Sequence, residues 1–157
     1  MDRTAPLYET PEIATALDEP RLYRSALRRR SAAFLVDYAL ILMLSIPAAI
    51  VIFFLGIVTL GLAFGLYAIL LPAIAVAYIA FTMGGEAQAT PGMRLADLEV
   101  RRLDGGRVDP TLAVLHGVLF WTSTAILTPA IVLVGLFTRR KQLLHDLLLG
   151  TVVSRRR

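Results

Sequence analysis

Asp37 is the residue of this 157-residue chain best placed to do chemistry. It is the single acidic or basic side chain in the apolar stretch from Ser31 to Met83. A carboxylate at the centre of a membrane span costs roughly 2.5–3.5 kcal/mol on insertion scales, so one kept there needs a compensating role. Arg30 stands seven residues earlier. At about 100° per residue this spacing returns to nearly the same helix face, about 10.5 Å along the axis, and a snorkelling arginine closes part of the gap. Two roles follow. Asp37 is either a proton- or cation-binding carboxylate tuned by Arg30, or a hydrogen-bond or ion-pair partner that holds helices together.

The other candidates are weaker. His116 lies alone in an apolar run. It could relay protons with Asp37, but a lone histidine of this kind is more often a satisfied packing residue or lies at the interface, and that is the expectation. His145-Asp146 lacks the HExxH pattern, and no second histidine or acid stands at ligand spacing on the helix of His116. No metal site and no cofactor is expected on these spacings. Asp104-Gly105-Gly106 is turn chemistry without a phosphate-loop or dinucleotide fingerprint. Ser45, Ser123 and the threonines lack the surroundings of a nucleophile elbow or triad, so an enzyme is not expected.

The elements that position these residues follow from hydropathy. Hydrophobic residues make up 57% of the chain and charged ones 18%, with a mean hydropathy of +0.68. The net charge of +4 does not mark a nucleic-acid surface. All 16 basic residues fall within three polar segments (1–30, 84–110 and 138–157) separated by long apolar runs, the arrangement of topology signals in an integral membrane protein. With no cysteine, disulfides and thiolate sites are excluded. The first apolar run is too long and begins too late for a signal peptide.

Residues 1–29, with Pro6, Pro11 and Pro20, read as a mostly disordered cytoplasmic tail. Ser31–Met83 holds two spans at about 20 residues each, the first from about Ser31 to Leu55 and the second from about Leu66 to Met83. Gly56, Gly61 and Gly65 punctuate the connection. The Gly61/Gly65 pair fits a turn better than a dimer face, and Pro47 and Pro72 are expected to kink their helices. Residues 84–110 switch to turn signals and alternating apolar and charged positions, predicting a β-hairpin around Asp104–Gly106. Thr111–Phe137 is apolar again. Arg28–Arg30 and Arg139–Lys141 read as topology anchors, although the same clusters suit anionic lipid head groups. Trp121 is a candidate interfacial anchor.

Basic residues number six in residues 1–30, four in the middle loop, six in the C-terminal segment and none between the first two spans. The tail and middle loop are therefore expected in the cytoplasm. Thr111–Phe137 is too short for two full spans. A pair of shorter legs bent near Thr128-Pro129 would return the last basic cluster to the cytoplasm. A single tilted span with an external C-terminus is the rival.

In its motifs the chain resembles the RDD family of bacterial membrane proteins, named for an arginine and two aspartates. The likeness begins at Arg30-x-x-Ala33-x-x-x-Asp37 and continues through Thr90-Pro91-Gly92-Met93-Arg94 and Asp104-Gly105. It closes with Gln142-x-x-His145-Asp146-x-x-x-Gly150-Thr151-x-Val153. Met93 stands where such proteins usually have lysine, and His116 where they often have arginine. The resemblance implies a bacterial inner-membrane protein with Asp146 as the second aspartate. The resemblance further implies transport, suggested for the group, with cation–proton exchange proposed for some of its members. If arginine and aspartates form one cluster, Asp146 must reach the cytoplasmic end of the first helix, and Thr151–Val153 can add a strand beside Leu98–Val108.

The expected architecture is an all-α membrane protein: a small transmembrane helical bundle with a minor cytoplasmic β-hairpin. Residues 30–154 form its membrane domain and 155–157 a basic end. Two functions are expected of it. One is a small transporter or transporter subunit using Arg30, Asp37 and Asp146, with His116 and His145 accessory. The other is a non-catalytic adaptor or assembly factor whose charge cluster is structural. The expected surroundings are a lipid bilayer and either further copies of the chain or a membrane partner protein.

Overall fold

A computed structural model describes residues 19–23, 25–127, 134–135, 137–138 and 140–156. Helix α1 spans Ala26–Val58, 33 residues or about 50 Å. It is apolar on nearly every face. Its buried positions, Ala26, Ala33, Ile41, Ser45, Ile52 and Gly56, form a stripe of mostly small residues, while Leu35, Met43, Val51, Phe54 and Val58 point outward. A helix that is hydrophobic all round belongs either in a large core or in lipid. Among the described residues no such core covers the outward side chains of α1.

The chain turns at Thr59–Gly61, where Leu60 and Gly61 both take positive φ (52° and 100°) and the Gly61 N–H donates back to Gly56 O at 2.7 Å. A 3-10 turn, Leu62–Leu66, leads into α2, Tyr67–Thr82. A Cβ on Gly56 would lie 2.0 Å from the Phe64 ring, so the turn folds onto α1 only because residue 56 lacks a side chain. Gly61 and Gly65 have open space where a Cβ would stand and serve the turn, not a close helix contact. Both α1 and the continuous segment Leu62–Thr82 are long and apolar enough to cross a membrane.

The packed core lies at the opposite end. Short helix α3, Pro91–Leu95, is capped by Thr90, whose hydroxyl accepts from the Met93 N–H, with Pro91 at the first helical position. Strand β1, Leu98–Arg102, precedes α4, Pro110–Leu127. Helix α5, Leu144–Leu148, and strand β2, Thr151–Arg155, complete the described elements. Ala33, Met83, Ala89, Met93, Leu98, Val100, Val108, Ala113 and Val153 form one buried cluster. Leu22 and Tyr23, from a 3-10 turn at Pro20–Tyr23, join Ala26, Leu103 and Val152 in a second. The expected disorder of the N-terminal tail falls mainly outside the described residues.

The expected hairpin is corrected. Strand β1 pairs antiparallel with β2, Val100 opposite Val153 and Arg102 opposite Thr151, and not with the segment after Asp104–Gly106. The reason is Gln88. Its backbone carbonyl accepts the Val100 N–H at 2.8 Å on the edge of β1 away from β2. Its side-chain amide grips Val108, accepting from Val108 N at 2.5 Å and donating to Val108 O at 2.9 Å. One side chain thus takes the backbone groups that a second hairpin strand would have offered to β1.

By Gly135 the chain lies against Leu27 and Leu143, back beside the first turn of α1. The C-terminal segment therefore shares that end with β1 and the start of α1. The expected bend at Thr128-Pro129 lies outside the described residues.

Candidate functional site

Asp146 is positioned by short-range chemistry. It is the third residue of α5, and its Oδ2 accepts the Leu143 N–H at 3.0 Å, satisfying a donor that the helix start leaves free. Gly150, at φ 60°, ends the helix, and Gln142 Nε2 donates to Thr151 O at 2.7 Å. The segment Gln142–Thr151 is thus a closed unit that presents His145 and Asp146 inward, both essentially without solvent exposure.

The fold brings Arg30 to this unit. Arg30 Nη1 donates to Asp146 Oδ2 at 2.6 Å, in an ion pair whose side chains are 13% and 0% exposed. His116 from α4 and His145 direct Nε2 toward the other oxygen, Oδ1, at 3.6 and 3.4 Å. Their rings meet edge-on with centroids 4.7 Å apart, and Phe120 packs on His145 in the same way. His116 Nδ1 lies 3.4 Å from Thr151 Oγ1. Ligand-capable atoms of His116, His145 and Asp146 all fall within 4.8 Å of one another. Spacing along the sequence hides this grouping, because the fold assembles it from positions 29 and 30 residues apart.

Burial works against the charged forms of these groups. It would raise Asp146, but Arg30 foremost, then the two histidines and the Leu143 N–H, outweigh it and hold the carboxyl below the usual range. Burial pushes His145 down to about 4 against the pull of Asp146. At neutral pH the centre therefore contains an ionised Asp146 and a neutral His145.

Asp37 forms a separate centre. Its Oδ1 accepts from Tyr78 Oη at 2.6 Å and from the Gly92 N–H at 2.8 Å, and its Oδ2 accepts from Thr90 Oγ1 at 2.5 Å. All three donors are neutral. The expected tuning by Arg30 is not the geometry found: the guanidinium turns to Asp146, and among the described residues Arg30 makes no ion pair with Asp37. Tyr78 lies one helical turn before the end of α2 at Thr82, so its bond to Asp37 places the carboxylate beside that end of the helix.

Gly92 makes the approach possible. A Cβ at this position would lie 2.3 Å from Ala33 O and 2.7 Å from the Asp37 carboxyl carbon. The sequence does not mark Tyr78, Thr90 and Gly92 as partners of Asp37. For two of them the signal was Thr90-Pro91-Gly92 itself, a helix-cap sequence whose free donors need an acceptor.

Arg30, Asp37, Tyr78, Thr90, His116 and His145 all line a cavity of ≈ 110 Å³. It shares Tyr38, Ile41, Ile79, Gly117 and Trp121 with a larger apolar cavity of ≈ 410 Å³ between α1, α2 and α4. Trp121 packs on Phe34 and Tyr38 of α1, so it serves this inner wall.

The RDD family model matches residues 24–150, which include Arg30, Asp37 and Asp146. No curated protein and no solved structure matches the chain. With the match running through nearly every described element, the chain belongs to the RDD family.

Proposed function

We propose that the chain is a multi-pass protein of the bacterial inner membrane, with both its tail and its C-terminal segment in the cytoplasm. We read it as a small transporter, or transporter subunit, in which Asp37 takes up and releases protons or small cations. The observation behind this reading is the contrast between the two carboxylates. Asp146 is enclosed and paired with Arg30, whereas Asp37 lines a cavity and has, among the described residues, only neutral partners. The carboxylate, the Thr90 hydroxyl and the Tyr78 phenol gather oxygens at one point, the ligand type that hard cations favour.

In this reading lipid surrounds the outward side chains of α1 and α2, and further copies or a membrane partner complete a path that two long helices cannot enclose. The function is not enzymatic. Exchange of cations against protons by the purified chain in proteoliposomes tests it. Asp37→Asn abolishes the flux while circular dichroism stays unchanged.

A second reading has its own support. The bonds from Thr90 and Gly92 clasp the 84–95 segment to α1, which is what a purely structural aspartate in an adaptor would do. Under that reading Asp37→Asn loosens the clasp, lowers stability and leaves no flux to lose.

A further inference from the structure

Asp146 Oδ1 is enclosed by protein and, among the described residues, accepts no hydrogen bond. A bare anionic oxygen in that position is costly unless something cationic meets it. The two groups that face it are His116 Nε2 and His145 Nε2, at 3.6 and 3.4 Å. Hydrogen bonds to nitrogen close at about 2.7–3.2 Å, so neither contact is a good one. Two atoms bound tetrahedrally to one ion at about 2.0–2.1 Å, however, stand about 3.4 Å apart. The two separations to Oδ1 match those of ligands around a shared ion, and all three ligand atoms fall within 4.8 Å of one another.

We propose that His116, His145 and Asp146 form a binding site for a divalent first-row transition metal such as zinc. The donor set of two imidazoles and one carboxylate suits that class and not the all-oxygen shells of calcium or magnesium. Outer contacts orient His116 and Asp146 in the way such sites use, whereas His145 Nδ1 has no hydrogen-bond partner among the described residues. His116 Nδ1 lies against Thr151 Oγ1, which leaves Nε2 to bind. Arg30 and the Leu143 N–H hold Oδ2, which aims Oδ1 inward. The edge-on contacts of His145 with His116 and Phe120 fix its ring. Both histidines also line the smaller cavity, which has room for a water or an anionic fourth ligand. The site is independent of any transport through Asp37.

The chain has only these two histidines, so histidine-selective labelling reads the site directly. Full-length protein without a polyhistidine tag is stripped with chelator, labelled with 15N-histidine, held in detergent micelles and titrated with Zn2+. The expected result is a shift of both imidazole Nε2 resonances, saturating together at one equivalent. His116→Gln lowers the affinity at least ~10-fold. Unchanged spectra in excess Zn2+, or a shift of one histidine alone, would overturn the proposal. Because the spectra come from the unsubstituted chain, the outcome stands even where a variant fails to fold.

Discussion

Arg30 Nη1 and Asp146 Oδ2 meet at 2.6 Å although 116 residues separate them in sequence. The pair joins the first turns of α1 to the segment that carries β2, and it closes the polar end of the bundle. Arg30→Gln leaves a buried carboxylate without its counter-ion and should cost about 3–5 kcal/mol. The double variant Arg30→Met/Asp146→Leu should lose less than the sum of its single changes, because no lone charge remains. Unfolding in mixed micelles measures both. Additive losses would contradict a coupled pair.

The clasp on Asp37 gives an ordered series. Thr90→Val removes one donor to the carboxylate and the cap of α3 together, a loss of about 1–3 kcal/mol. Gly92→Ala should cost more, because its methyl would fall 2.3 Å from Ala33 O in a place where backbone must move to admit it. The same unfolding assay ranks them. A Gly92→Ala protein as stable as the parent would disprove the close approach of α3 to α1.

Gln88 links two segments by different atoms, and amide hydrogen exchange can separate them. Gln88→Ala removes the acceptor of the Val108 N–H but leaves the backbone carbonyl that holds the Val100 N–H. Exchange at Val108 should accelerate by more than ~10-fold, with Val100 changed far less. Equal acceleration at both would show that the side chain supports the whole region.

Acid should destabilise the metal-free protein through His145. Its folded value of about 4 lies below the ordinary 6.5, so the unfolded chain binds the extra proton first. The stabilisation from keeping His145 neutral is complete above pH 6.5 and disappears as pH falls toward 4. It amounts to at most about 3 kcal/mol. Asp146, held below 3.8, loses its contribution only at more acid pH. Melting temperature recorded between pH 7 and 4 should therefore fall in the parent and fall less in His145→Gln. Identical slopes would remove His145 as the cause.

Sidedness is accessible to cysteine labelling, since the chain has none of its own. Leu60, 97% exposed in the α1–α2 turn, and Arg156, exposed after β2, lie at opposite ends of the fold. Leu60→Cys and Arg156→Cys should react with an impermeant maleimide from opposite faces of oriented vesicles. Reaction of both from one face would refute the proposed membrane placement.

The long apolar helices were legible because hydropathy alone specifies them; α1 and Leu62–Thr82 lie close to where the sequence puts them. Asp37 was legible because a carboxylate among apolar residues is conspicuous. Its partners were not, since Tyr78 and Thr90 are ordinary residues until the fold brings them together. The hairpin was misread for a physical reason. Alternation at Leu98–Val100 followed by Asp-Gly-Gly is a genuine turn signal, and the Gly106 N–H does donate to Asp104. The competition from Gln88 depends on tertiary placement, which periodicity does not encode. The approach of Asp146 to Arg30 followed from the family likeness together with the charge of the C-terminal segment. The convergence of both histidines on Asp146 was visible from neither.

The pairing of β1 with β2 has a consequence for biosynthesis. Strand β1 ends at Arg102 and its neighbour begins at Thr151, so at about 5–20 residues per second a nascent chain waits several seconds for that partner. Arg30 waits longer still for its counter-ion. During this interval the two greasy segments can already have entered the bilayer while the polar cap beneath them is unfinished. Leu98 and Val100 would lack cover from the second strand, and shielding by a chaperone or the insertion machinery would be of most use then. Ribosomes stalled before residue 146 should yield chains that protease clears quickly, whereas those released after residue 155 should persist.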